Sequence, residues 1–116
     1  MKFIVDRKTW YRGKGPDNSR LRNNEGMMCC LGHISLQCGF TQGEINYVTS
    51  PGKLTERLYH KPIPEEYRWL ADDGCNSDLS SDMMRINDDK EISDSVRELE
   101  LKLIVQKAGH ELEFIN

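Results

Sequence analysis

Hydrophobic residues fall in short groups along the chain, and their spacing changes from one group to the next. Lys2-Phe3-Ile4-Val5 is aromatic and β-branched, which predicts a strand with Phe3 and Val5 on one face. Residues 12–19 hold Gly13, Gly15, Pro16, Asp17 and Asn18 and predict a loop. Arg20-Leu21-Arg22, Asn23-Asn24-Glu25-Gly26 and Met27-Met28-Cys29 predict strand, turn and strand, with Gly26 in a left-handed position. From about Cys29 to Cys38 the period becomes helical. Cys30, Ile34 and Cys38 stand four apart, Leu31 and Ser35 lie beside them, and Gly39 follows as a stop.

The 41–80 region is weakly patterned. Thr41 can cap a short turn over 42–46, and residues 49–62 predict irregular chain with a helical turn near 54–58. Pro64, followed by Glu65 and Glu66, opens a helix that reaches about Leu70 and breaks at Asp72-Asp73-Gly74. Ser80 or Ser81 caps a helix through Met83, Met84 and Ile86, which Asn87-Asp88-Asp89 ends. The strongest period lies at 92–108. Ile92, Val96, Leu99 and Leu103 form one stripe, and Leu101, Ile104, Val105 and Ala108 form a second. Two stripes predict a helix sandwiched in the domain or touching a partner chain, as in a homodimer. Glu111-Leu112-Glu113-Phe114-Ile115 alternates as a strand with Leu112 and Phe114 inward.

The fold class these elements predict is α+β, in one compact domain over residues 1–116. Its sheet is a small antiparallel one, from the terminal strands and the 20–29 hairpin, covered by helices around 30–38 and 92–108. Leu, Ile, Val and Phe make up 26 of 116 residues, enough for a modest core. No stretch approaches the about 20 apolar residues that a membrane span needs, so no membrane partner is expected. The N-terminus turns charged too early for a signal peptide, which predicts a cytoplasmic protein with reduced thiols.

Charge is uneven. Residues 1–25 carry net +4 and residues 61–116 carry net −7, within a total of −3. Either the molecule has a positive face, or its two ends pair with each other.

The residues offer four candidate chemistries. Cys30 and His33 have zinc-ligand spacing, but no second pair exists, so no metal is expected. Cys29 or Cys30 near a helix start could be a nucleophile with His33 as base, but no orienting third group is evident, so no catalytic residue is assigned. Asp72-Asp73 and Asp88-Asp89 lack calcium-loop spacing. The basic arm is the best candidate. Arg7, Arg12, Lys14, Arg20 and Arg22, with Lys8, surround Trp10 and Tyr11. Guanidinium forks grip phosphate, aromatic faces stack on bases, and Gly13 and Gly15 let backbone N–H groups approach an anion. The acidic total disfavours long nucleic acid, and no cofactor motif is present.

Trp10-Tyr11-Arg12-Gly13, then Met28-Cys29-Cys30-Leu31-Gly32, then Ile86-Asn87-Asp88 resemble a widespread group of small proteins of tailed phages and prophages. In that group a W-x-R-G element precedes a CCLG block, and a Leu/Ile-Asn-Asp element precedes the last helix. Trp10, Arg12, Gly13, Cys29, Cys30, Leu31, Gly32, Asn87 and Asp88 are the corresponding positions here. His33 departs from the group, which commonly has an aromatic or aliphatic residue there, and this weakens His33 as a general base. The resemblance implies a phage accessory protein of the host-cell cytoplasm, with no assigned activity. By context it implies an anti-defence role. The expectation is non-enzymatic binding or sequestration of a small anionic, nucleotide-like ligand by the basic arm. The alternatives are a protein–protein inhibitor of a host defence factor with an acidic surface over 65–98, and a Cys-dependent enzyme.

Overall fold

The alternating patterns at the two ends of the chain meet each other. In the computed structural model, which describes all 116 residues, β1 (Lys2–Asp6) pairs with β4 (Glu111–Ile115). Phe3, Val5, Leu112 and Phe114 face inward, as the period of two requires. Between the strands lie α1 (Cys30–Gln37), α2 (Gln42–Ile45), α3 (Pro51–Arg57), a two-stranded hairpin of β2 (Ala71–Asp72) and β3 (Cys75–Asn76), α4 (Asp78–Asp88) and α5 (Asp94–Lys107). The fold is α+β. No helix is long and apolar enough to cross a membrane.

The terminal pair is parallel, with Lys2 opposite Glu111 and Asp6 opposite Ile115, where an antiparallel pair was expected. Alternation reveals which face a strand buries. It says nothing of direction, which the route of the intervening chain decides. The 20–29 segment forms no ladder either. Asn23 Oδ1 takes the N–H groups of Glu25 and Met27, which makes the turn. The flanks bond elsewhere: Met28 exchanges bonds with Thr9 and Tyr11, and Leu21 bonds to Val48. The hairpin that does form, β2–β3, lies where a helix break was read.

Helix boundaries follow their caps. Thr41 and Glu44 complete a capping box on α2. Ser50 caps α3, with Pro51 in its first turn. Residues 64–70 yield only a 3-10 turn, Glu65–Tyr67, which buries the Tyr67 ring. Ser77, not Ser80 or Ser81, caps α4, because Ser80 is inside the core. Ser93 caps α5. Only one face of α5 is buried, at Arg97, Leu101 and Val105, whereas Val96, Leu99 and Leu103 stay exposed. One continuous apolar core of 23 residues links both terminal strands, α1, α4 and α5.

Candidate functional site

The three sequence motifs converge on one buried side chain, Asn87, in the last turn of α4. Its Oδ1 accepts from Trp10 Nε1 at 2.7 Å and from the Cys30 N–H at 3.0 Å. Its Nδ2 donates to the Tyr11 carbonyl and to Asp88 Oδ1, both at 3.0 Å. Its carbonyl takes the Gly13 N–H, and the Asp88 carbonyl takes that of Gly15, each at 2.8 Å. The two glycine amides expected to approach an anion are therefore bonded to the end of α4.

Arg97 of α5 locks the same junction from below. It is almost wholly buried. Nη1 donates to the carbonyls of Ile86 at 2.7 Å and Asp89 at 2.8 Å, and Nη2 donates to that of Ile92 at 2.9 Å. A cation at the carbonyl end of α4 complements its dipole and satisfies groups the helix leaves open. Gly13 has a φ of +69°, and a Cβ there would stand 2.8 Å from Arg97 Nη2. The sequence reading missed Arg97. Its signal was present, since Arg97, Leu101 and Val105 stand four apart on the stripe that becomes the buried face.

The arm is distributed around this junction, not gathered into a hollow. The Trp10 indole is 1% exposed and packs 4.8 Å from the Phe114 ring. A sealed ring with its N–H bonded offers no face to a base. Arg7 makes a two-pronged bond to Glu98, at 2.8 and 2.7 Å. Arg12 stacks over Trp10 at 4.6 Å, donates to the carbonyls of Arg7 and Trp10, and meets Asp94 at 3.3 Å. Arg22 bonds to Asn46 Oδ1, and Arg20 to the Ser19 carbonyl. The basic beginning and acidic end of the chain thus pair through Arg7–Glu98 and Arg12–Asp94. Tyr11 and Lys14 remain at the surface, with Lys14 Nζ 5.4 Å from the Tyr11 ring.

The CCLG block is interior. Cys29 is the N-cap of α1 and Cys30, Leu31 and Gly32 fill its first turn, all buried. Gly32 is needed for close approach, because a Cβ there would fall 1.8 Å from the Leu21 carbonyl oxygen. Burial pushes the Cys29 thiol up to about 12 and Cys30 well above its ordinary value. Both thiols stay protonated at neutral pH, the reverse of what a nucleophile needs. His33 is buried too, and its Nε2 has no partner. Asp88 accepts from Ser19 Oγ at 2.6 Å, and burial raises its carboxyl above the usual range. No three His, Cys, Asp or Glu side chains gather where a metal ion would fit.

A concavity lies elsewhere, in the 41–80 region that the motifs do not reach. It is a cleft of about 470 Å³ between the end of α3 and the β2–β3 hairpin. Tyr59 and Ile63 supply its apolar surface, Lys61 and Arg68 its cations, and Glu56, Asp72 and Asp73 its acids. Arg68 lies between Glu65 and Asp72, at 3.4 and 3.3 Å. In comparisons with known proteins, the chain matches no family model, no curated protein and no solved structure.

Proposed function

We propose that the chain acts by binding, as a phage-type accessory protein that docks on a host protein through the cleft at residues 55–74. One observation carries this reading: the cleft presents Tyr59, 86% exposed and unused by the core, beside Ile63 and Arg68. Tyrosine and arginine are enriched among residues that dominate protein interfaces. Glu56, Asp72 and Asp73 suit a partner segment that carries Lys or Arg among apolar residues. The phage context and an anti-defence role rest on the motif resemblance. Immobilised protein should retain the same host polypeptide in repeated captures, more weakly as salt rises. The double variant Tyr59→Ala/Asp73→Lys should lose it. Undiminished retention by that variant removes the cleft from the mechanism.

A second reading keeps the small anionic, nucleotide-like ligand and is supported by the accessible Tyr11–Lys14 pair. A ligand that binds only the folded chain raises its melting temperature. A nucleotide panel should then produce a shift that Lys14→Ala abolishes, and a flat panel counts against this reading.

A further inference from the structure

The two edges of the β1/β4 pair are finished differently. On the β1 side the Gln37 amide closes the edge. Its Oε1 accepts the Ile4 N–H and its Nε2 donates to the Ile4 carbonyl, both at 2.7 Å, as a neighbouring strand would. On the β4 side nothing takes that role. Glu111 and Ile115 turn their backbone groups towards β1, which fixes the parity of the ladder. Leu112 and Phe114 therefore turn N–H and C=O outward, and no group of the chain meets them. An edge of this kind is a template for another strand.

Lys102 links this edge to the uncovered face of α5. Its Nζ lies 5.8 Å from the Phe114 ring. Lys2, bonded to Glu113 at 2.7 Å, and Lys102 beside it hold the Glu113 carboxyl below its usual range. Leu99 stands one turn before Lys102, and Leu103 follows it. With Val96 they are 59%, 49% and 43% exposed respectively.

We propose that a second copy of this chain occupies the edge, through an antiparallel β4–β4 pair that joins two two-stranded sheets into one. Self-pairing fits the free groups. With Glu113 on the twofold axis, Leu112 of each copy faces Phe114 of the other as a hydrogen-bonded pair. These are apolar cross-strand partners on the inner face. The two Glu113 carboxylates meet at the axis, and each copy sets Lys2 and Lys102 against its Glu111 and Glu113, so the charges on that face balance. The inference uses no residue of the cleft.

The test is solution mass with register-specific cross-linking. Sedimentation at concentrations up to about 1 mM, the range in which weak contacts populate, should give twice the chain mass of 13.4 kDa. Lys102→Glu alters only an exposed position and should return the monomer with its circular dichroism unchanged. In a Cys75→Ser background, Glu113→Cys should form an intermolecular disulfide on mild oxidation. A facing pair that is not hydrogen-bonded sets its Cα atoms about 4.5 Å apart, within disulfide reach. Ile115→Cys should not, because its copies stand about 14 Å apart in that register. A monomer at every concentration overturns the proposal. So does a dimer that survives Lys102→Glu, or one that cross-links at 115 and not at 113.

Discussion

Nε1 of Trp10 donates to Oδ1 of Asn87 at 2.7 Å across 77 positions of sequence. The same oxygen takes the Cys30 N–H, so a single amide ties the W-x-R-G loop to the CCLG helix. All the hydrogen-bonding capacity of that side chain is used inside the protein, since its Nδ2 holds Tyr11 and Asp88. A fully satisfied buried network of this kind fixes one arrangement of the chain.

Asn87→Ala should therefore be among the most damaging single changes. It strands the Trp10 and Cys30 N–H groups where water does not reach, at about 1–3 kcal/mol each. The expected loss is about 3–5 kcal/mol. Urea denaturation should show a lower midpoint with an unchanged slope. Asn24→Ala, at an exposed position, should stay within about 0.5 kcal/mol.

Gly32 and Gly43 offer a contrast in the same substitution. A Cβ at Gly32 would overlap the Leu21 carbonyl oxygen at 1.8 Å, and backbone cannot swing aside. Gly32→Ala should leave the chain insoluble or unfolded at 25 °C. A Cβ at Gly43 meets nothing nearer than 3.9 Å, in the interior of α2. Gly43→Ala should leave stability unchanged or raise it by up to about 1 kcal/mol, because alanine favours helix. Thermal melts of the two variants decide this.

The parts that were legible in the sequence were local. Phe3 and Val5, Leu112 and Phe114, and the helices begun by Cys30 and by Thr41 follow from spacing and caps that a short window contains. The parallel sense of the terminal pair depends on the path of everything between residues 6 and 111, which no window holds. The basic arm misled for a different reason. A guanidinium over an indole looks the same in sequence whether the ring awaits a ligand or the cation is its lid. Arg12 is a lid, 4.6 Å above Trp10 and tied to Asp94. The deciding information was the acidic end of the chain, whose Asp94 and Glu98 neutralise Arg12 and Arg7. The cleft carries no motif at all. Its residues come from α3, the chain that follows it and a hairpin, and only folding brings them together.

Thiol chemistry should separate the four cysteines sharply. Cys29, Cys30 and Cys38 are buried, and burial raises all three thiols, Cys29 and Cys38 to about 12. Cys75 is exposed in the β2–β3 hairpin. Native protein at pH 7 should react with a thiol-specific chromogenic disulfide at one site per chain, and Cys75→Ser should silence it. All the remaining thiols should appear only after denaturant is added. Rapid native labelling of Cys29 or Cys30 would revive a nucleophilic role for the CCLG block.

His33 gives the molecule an acid limit. The ring is buried in α1, its Nε2 is unpartnered, and burial lowers its pKa from 6.5 to about 4, against the opposing pull of Asp6 and the Thr9 carbonyl. A base whose folded pKa is depressed favours the folded state while neutral. The stabilisation is full above pH 6.5 and is lost as pH falls from 6.5 towards 4, where the unfolded chain binds the proton more readily. By pH 4 the loss reaches about 3 kcal/mol. Asp88 acts in the opposite sense, because its raised pKa makes the folded state gain as pH falls through its titration, which offsets part of the His33 loss where the two overlap. Asp6, Glu44 and Glu113, with lowered values, withdraw stability as pH falls through the ordinary carboxylate range. Melting temperature should therefore drop between pH 6.5 and 4.5 in the native sequence. His33→Leu, of similar volume and without a proton to bind, should reduce that drop, and what remains includes His110, whose pKa burial and the N-terminal ammonium also lower. A decline of equal slope in both proteins would place the acid sensitivity elsewhere in the chain.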